Sequence, residues 1–334
     1  MEHIDKNDYK YILMKDAEWC NHLGFNDIDG LNSILRRGQG VQLVNLCEER
    51  HSNLFSKIAN RIKEANSVKM VLLAGPSSSG KTSASLRLAM QCKVHGLNPR
   101  TIELDNYFVN REDTPFDENG ERDYECLEAM DVAYLNRQLN DLLNGKEIEV
   151  PKFDFKLGER VPSGRTMTLA DNEILCMEGI HALNPALTPA VDQSKIFRVY
   201  ISALTAIPGG EKTHYSTTDK RLLRRIVRDN RTRGISPEDT LLRWASVRRG
   251  EENYIFPYED NADIVFNSST LYDVPLLKYY AEPLLYGISE SSQAYGKATS
   301  LLDFLSRVVT LKPNEIAAIP PTSIMREFIG GQTL

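Results

Sequence analysis

Val68-Lys69-Met70-Val71-Leu72-Leu73-Ala74 runs directly into Gly75-Pro76-Ser77-Ser78-Ser79-Gly80-Lys81-Thr82, and a helical pattern follows over Ser83–Cys92. The first seven residues are an apolar run with a single charge, which reads as a buried strand. The next eight fit GxxxxGK[ST] without a gap, so strand, glycine-rich loop and helix follow one another as at the opening of an α/β unit. Such a loop turns its backbone N–H groups toward phosphate oxygens, Lys81 reaches the β- and γ-phosphates, and the Thr82 hydroxyl is offered to Mg²⁺. The helix starting near Lys81 adds its positive dipole end to the same anion site, so the ATP-binding set runs from Gly75 through Ser83.

Working outward, further strands are expected at Arg100–Leu104, Ile174–Met177, Phe197–Ile201 and Asp263–Phe266, with helices near Asp131–Leu143, Asp219–Arg231 and Pro237–Gly250. This alternation implies an α/β fold of the P-loop NTPase type, a mostly parallel sheet flanked by helices. Residues 144–173 interrupt it with Gly145, Pro151, Gly158, Pro162 and Gly164 among short β-prone pieces, which fits a small hairpin excursion. Residues 1–66 read as a small helical lead-in with turn-like Gly24, Gly30, Gly38 and Gly40 and apolar Leu54, Ile58 and Ile62 at every fourth position. The expected organisation is that lead-in, a P-loop domain over 67–273 with a lid at about 209–250, and a helical extension over 274–334 packed on the domain. Within the extension, helices are expected over 274–286 and 293–309.

The chain of 334 residues carries 40 Lys+Arg against 46 Asp+Glu, a net charge of −6, which argues against a protein built mainly to coat long nucleic acid. The charge is uneven: residues 211–250 hold 11 Lys/Arg and 5 Asp/Glu. The cysteines at 20, 47, 92, 126 and 176 form no CxxC pair and read as reduced thiols. The polar start Met1–Lys6 and the lack of any long apolar run lead to the expectation of a soluble cytoplasmic protein with no membrane partner.

Ligands of open α/β sheets bind at the carboxyl ends of strands, which singles out Asp105 and Glu178. In phosphoryl transfer one carboxylate orients the attacking hydroxyl or takes its proton, and another helps hold Mg²⁺. Asp105 is assigned the first role and Glu178 the second, with the rings after Asp105 available to stack a planar substrate. Arg221, Arg224, Arg225 and Arg228 share one helix face, opposite Leu222, Leu223, Ile226 and Val227. A solvated face, partly neutralised by Asp219 and Asp229, and a nucleic-acid stripe are both compatible with this pattern. Beside a P-loop the economical reading is a lid whose arginines meet ATP phosphates, hinged at Gly209-Gly210 and Gly234.

Taken together, these pieces resemble the uridine kinase and phosphoribulokinase family of P-loop kinases. The resemblance is carried by residues 75–82, Leu-Asp-Asn-Tyr-Phe at 104–108, Asp-Tyr-Glu-Cys-Leu-Glu-Ala-Met-Asp at 123–131, Pro-Lys-Phe-Asp-Phe at 151–155, Glu-Gly-Ile-His at 178–181 and Arg-Arg-Ile-Val-Arg-Asp at 224–229. The ending Ser323–Gly331 is similar to that of longer bacterial uridine-kinase-like proteins, in which TGS and threonyl-tRNA-synthetase-like modules usually precede the kinase. Here only residues 1–66 precede it, so those modules are expected to be absent or reduced to a remnant.

The resemblance implies that Asp105 takes the proton of a sugar 5′-hydroxyl, that Lys81, Arg225 and Arg228 act on the phosphates, and that Thr82 and Glu178 position Mg²⁺. It also implies an acceptor site of Phe108, Tyr124, Glu125, Phe153, Arg225 and Trp244, with Glu125 where the family has Asp. Two departures bear on specificity: Gly158 stands where a pyrimidine-reading histidine is found, and Arg243-Trp244 where a Gln-Tyr pair follows the lid. The leading expectation is an ATP- and Mg²⁺-dependent kinase of a nucleoside, uridine or cytidine first. Its rivals are a kinase of a sugar phosphate or other small alcohol, and a nucleotide-dependent module associated with RNA or translation. ATP against GTP, a homo-oligomer, and whether Arg326-Glu327-Phe328 reaches the site stay open, with Arg326 itself expected to be structural.

Overall fold

In the computed structural model, which describes residues 9–118, 120–204 and 216–334, the apolar run forms strand β1 (Met70–Ala74), the middle of the main sheet. Before it come helices α1 (Tyr9–His22), α2 (Ile28–Arg36) and α3 (Gly40–Glu64). The glycine-rich loop leads into α4 (Lys81–Val94), β2 (Asn98–Glu103) and α5 (Val132–Leu143). Four short strands follow: β3 (Ile148–Glu149), β4 (Lys152–Asp154), β5 (Glu159–Val161) and β6 (Thr166–Met167). The chain then returns to the main sheet with β7 (Glu173–Glu178) and β8 (Ile196–Ser202). Helices α6 (Thr217–Arg233) and α7 (Pro237–Tyr254) precede β9 (Ile264–Asn267). The last helices are α8 (Asp273–Tyr286), α9 (Tyr295–Ser306), α10 (Pro313–Ala317) and α11 (Arg326–Ile329).

The main sheet has the order β2-β7-β1-β8-β9, and every pairing is parallel. Alternate residues of β1 enter opposite cores: Val71 and Leu73 join Val199, Ile201 and Phe266 on one face, and Met70, Leu72 and Ala74 join Leu175, Met177 and Tyr200 on the other. A strand covered on both sides has no polar face, which is why it reads as an unbroken apolar run. The expected excursion is present as two nested antiparallel pairs, β4 with β5 inside β3 with β6.

The N-terminal helices are more than a small lead-in. α3 is 25 residues long, and its Phe55 ring stacks on Phe266 of β9 with centroids 4.2 Å apart. Glu48 of α3, itself buried, accepts from Arg87 of α4 at 2.9 Å and from the hydroxyls of Tyr272 and Ser323. Residues of α2, α3, α8 and the C-terminal segment therefore share one core with the sheet. Gly30 and Gly40, expected in turns, lie within α2 and at the start of α3, whereas Gly24 and Gly38 do turn the chain with positive φ. The five cysteines are free and buried. Among the described residues no helix is long and apolar enough to cross a membrane.

Candidate active site

Because β7 lies between β1 and β2, three strand ends adjoin, and Leu73 and Glu103 are both in register with Glu178. The phosphate loop, Glu178 and Asp105 all leave this edge of the sheet, where open parallel sheets bind their ligands. Gly80 caps α4 in the left-handed region (φ 88°) and offers no side chain to the first N–H groups of the helix. Those groups are left as donors for an anion. The Lys81 ammonium folds back toward the Pro76 carbonyl at 3.4 Å, over the loop. The buried Ser78 and Ser79 hydroxyls have no hydrogen-bond partner among the described residues.

The Thr82 hydroxyl donates to Glu178 Oε1 at 2.8 Å. A hydroxyl beside a carboxylate is a hard oxygen pair that suits Mg²⁺, and no cluster of three or more His, Cys, Asp or Glu able to hold a metal occurs among the described residues. That combination fits a cation completed by substrate phosphates better than one caged by protein. Burial, then the charge of Asp105, pushes the Glu178 carboxyl up to about 8, against the pull of Lys81 and the Thr82 hydrogen bond. Asp105 lies in the short 3₁₀ turn Leu104–Tyr107 after β2. The surrounding protein raises its pKa, while Lys81, Arg233 and Arg228 pull it down.

α6 forms as expected, capped by Ser216 accepting from the Asp219 N–H and ended by Gly234 in the left-handed region. Its arginines do not act as one set. Arg221 and Arg224 are buried, Arg221 gripping Glu251 through both terminal nitrogens and donating to the Ser77 carbonyl at 3.0 Å. Arg224 pairs with Asp273 and reaches the Ser79 carbonyl at 3.3 Å and the Ser268 carbonyl at 3.0 Å. Both brace the loop from behind, which leaves Arg225 and Arg228 as this helix's candidates for phosphate contact. Arg225 donates to the Ser77 hydroxyl at 2.6 Å, and Arg228 pairs at 2.7 Å with the buried Asp229, which also holds Arg225 at 3.2 Å. Leu222, Leu223, Ile226 and Val227 lie in the core, so α6 packs against the domain through this face. The expected hinge Gly209-Gly210 and lid residues 209–215 lie outside the described residues.

Of the residues expected around an acceptor, the rings of Phe108 and Phe153 meet edge to face at 5.8 Å, and Phe155 continues the contact to Phe153 at 5.2 Å. The Phe153 N–H donates to Asn106 Oδ1 at 3.1 Å, which ties hairpin β4–β5 to the turn that carries Asp105. Tyr124 is exposed. Tyr107, grouped in the sequence with the stacking rings, is buried with its hydroxyl on Gln138 and belongs to the core. Trp244 is also a core residue, 7% exposed with its ring beside Arg221, so it does not line the open cleft. Glu125 lies against Gly250 of α7, where a Cβ would come within 2.6 Å of the Glu125 Cβ. Burial raises the Glu125 carboxyl to about 7, with Arg225 and Lys81 lowering it and Glu251 and Asp105 raising it. At Gly158 a Cβ would stand 2.7 Å from the Arg111 guanidinium, so an arginine fills the space in front of that position.

Sequence reasoning missed Glu251, Asp229 as a hub, and the reach of the tail. Glu251 is fully buried and accepts the Ser77 N–H at 2.9 Å, which makes it a direct support of the loop. Arg326 donates to the Ile319 carbonyl and Phe328 is buried under Arg224, both structural contacts. Glu327 reaches the site: its Oε2 accepts from the Ser83 hydroxyl at 2.8 Å and from the Ser83 N–H at 3.2 Å.

Residues 70–275 match the phosphoribulokinase / uridine kinase family. A uridine kinase of Macrococcus caseolyticus is 32% identical over 58% of this chain and 84% of its own length. A uridine kinase of Bacillus subtilis is 31% identical over 58% of this chain and 82% of its own. A solved structure of a possible uridine kinase from Bacillus stearothermophilus covers 60% of this chain and 88% of its own at 19% identity, with a TM-score of 0.38. With the phosphate loop and the strand-end carboxylates inside the matched span, the chain belongs to the phosphoribulokinase / uridine kinase family of ATP-dependent kinases.

Proposed function

We propose that the protein transfers the γ-phosphate of ATP to the 5′-hydroxyl of a nucleoside, with uridine and cytidine as the first acceptors. The observation that carries this reading is the meeting of Asp105 with the Thr82–Glu178 pair and the phosphate loop at adjoining strand ends, beside the Phe108–Phe153 wall. Asp105 accepts the proton of the attacking hydroxyl; burial raises its pKa, in the direction that makes it a better base, while Lys81, Arg233 and Arg228 oppose the rise. Glu125 accepts from the vicinal ribose hydroxyls, and Phe108 and Phe153 present ring surface to the base. Lys81, Arg225 and Arg228 stabilise the charge spread over the transferring phosphoryl group. Thr82 and Glu178 would hold Mg²⁺, which would supply neutralisation of the phosphate charge.

One observation favours a second reading, a sugar phosphate or another small alcohol as acceptor. The exposed Arg111 side chain fills the space before Gly158 and gives one hydrogen bond, at 2.9 Å, to the Phe155 carbonyl. A guanidinium has five N–H donors, enough to hold an anionic group as well. An ADP-release assay over nucleosides and sugar phosphates separates the readings. Turnover with uridine or cytidine supports the first, turnover with sugar phosphates alone supports the second, and hydrolysis independent of any acceptor contradicts both.

A further inference from the structure

The C-terminal segment ends on the phosphate loop and puts a carboxylate where a nucleotide phosphate is expected. Ser83 is the third residue of α4, so its N–H is among the helix-initial donors that have no partner within the helix. In a P-loop those donors cradle the α- and β-phosphates. Here the Ser83 N–H and hydroxyl both donate to Glu327 Oε2, at 3.2 and 2.8 Å. Gln332 Nε2 adds a hydrogen bond of 2.8 Å to the Ser83 hydroxyl oxygen. The contact is built rather than incidental. Ile324 packs over Gly80, its methyl carbon 2.5 Å from where a Cβ would stand. Arg231 of α6 donates to the carbonyls of Phe328 at 3.0 Å and Glu327 at 2.9 Å. Ser323 anchors the start of the segment on the buried Glu48 at 2.7 Å.

We propose that Glu327 is an internal ligand of the nucleotide site: its carboxylate takes the Ser83 donors required by a nucleotide phosphate, so ATP binds in competition with it. The proposal rests on the reading above, that this loop binds the phosphates of ATP. Its chemistry is simple, because a carboxylate and a phosphate oxygen use the same charge-assisted hydrogen bonds and repel one another. Binding then requires the Glu327 side chain, or the segment carrying it, to leave Ser83. The apparent affinity is reduced by the fraction of molecules in which Ser83 is covered. The short helix α11 and the ties from Arg231 and Ser323 hold the carboxylate in place until a triphosphate displaces it.

The test is calorimetric titration of the full chain with MgATP, for the unaltered protein and for Glu327→Gln, Glu327→Ala and Gln332→Ala, with thermal unfolding measured with and without MgATP. Glu327→Gln is expected to bind ATP on the order of tenfold more tightly, the worth of one hydrogen bond to a charged group. Its melting temperature without nucleotide falls, because a helix-end acceptor is weakened, and the gap closes at saturating ATP. Gln332→Ala shifts affinity in the same direction by less, and serves if the Glu327 variants fold poorly. Unchanged or weaker ATP binding in both Glu327→Gln and Gln332→Ala, with a melting deficit that persists in ATP, means the contact is only structural and overturns the proposal. Absence of ATP binding in every protein, the unaltered one included, overturns the kinase reading and the proposal with it.

Discussion

Glu251 of α7 accepts the backbone N–H of Ser77 at 2.9 Å, so a buried carboxylate from a helix near the end of the catalytic core holds the phosphate loop. The same carboxylate grips Arg221 and pairs with Arg248 at 2.8 Å, and the adjacent Gly250 makes room for Glu125. The dipeptide Gly250-Glu251 therefore touches the phosphate loop and Glu125 together, and α7 links the two. Glu251→Ala leaves the buried Arg221 without its partner, a change that costs about 3–5 kcal/mol in comparable buried pairs. Chemical denaturation should show that loss, and ATP titration should show weakened binding. A variant with unaltered stability and ATP affinity would remove Glu251 from this role.

Glu125 gives the acceptor site a pH signature. Its carboxyl is raised to about 7, chiefly by burial. A carboxylate accepts two hydroxyl hydrogen bonds better than the protonated form, so kcat/KM for the acceptor should rise as pH increases through about 7. Stability moves in the opposite sense. The raised pKa means that protonated Glu125 favours the folded state, a contribution complete below the unfolded value of about 4.3 and lost as pH rises through about 7. Glu125→Gln should flatten both profiles, and a rate profile that keeps its rise near pH 7 in the variant assigns that titration to another group.

The N-terminal helices are predicted to be needed for the fold. Glu48 gathers Arg87, Tyr272 and Ser323 in a buried interface between α3, α4, α8 and the C-terminal segment. Glu48→Ala leaves a buried guanidinium and two hydroxyls short of an acceptor and should lower unfolding free energy by roughly 3 kcal/mol or more. Urea denaturation reads this directly. A midpoint unchanged from the parent protein would mean that the interface relaxes or hydrates without cost.

How much was legible in advance follows from how local each feature is. Strand β1, the phosphate loop and α4 are contiguous, so apolar run, glycines and helix could be read in order, and Asp105 and Glu178 followed as strand-end acids. The arginine stripe of α6 was equally visible, since helical spacing tells which residues share a face. It does not tell what lies opposite. The partners of Arg221 and Arg224 are Glu251 and Asp273, 30 and 49 residues further on. The same limit hid Glu327, which meets Ser83 across 244 residues of sequence. Tyr107 reads as a stacking ring, and the resemblance puts Trp244 at the acceptor, because aromatic identity is visible in a sequence and burial is not; both are core residues.

The central claim, that Asp105 activates the acceptor hydroxyl beside an intact ATP site, is tested most directly by Asp105→Asn under saturating MgATP and the best acceptor from the panel. The predicted result is a fall in kcat of about 10²–10⁴, the usual worth of a positioned general base, with ATP affinity unchanged by titration. An Asp105→Asn enzyme that turns over at the parent rate would contradict the account.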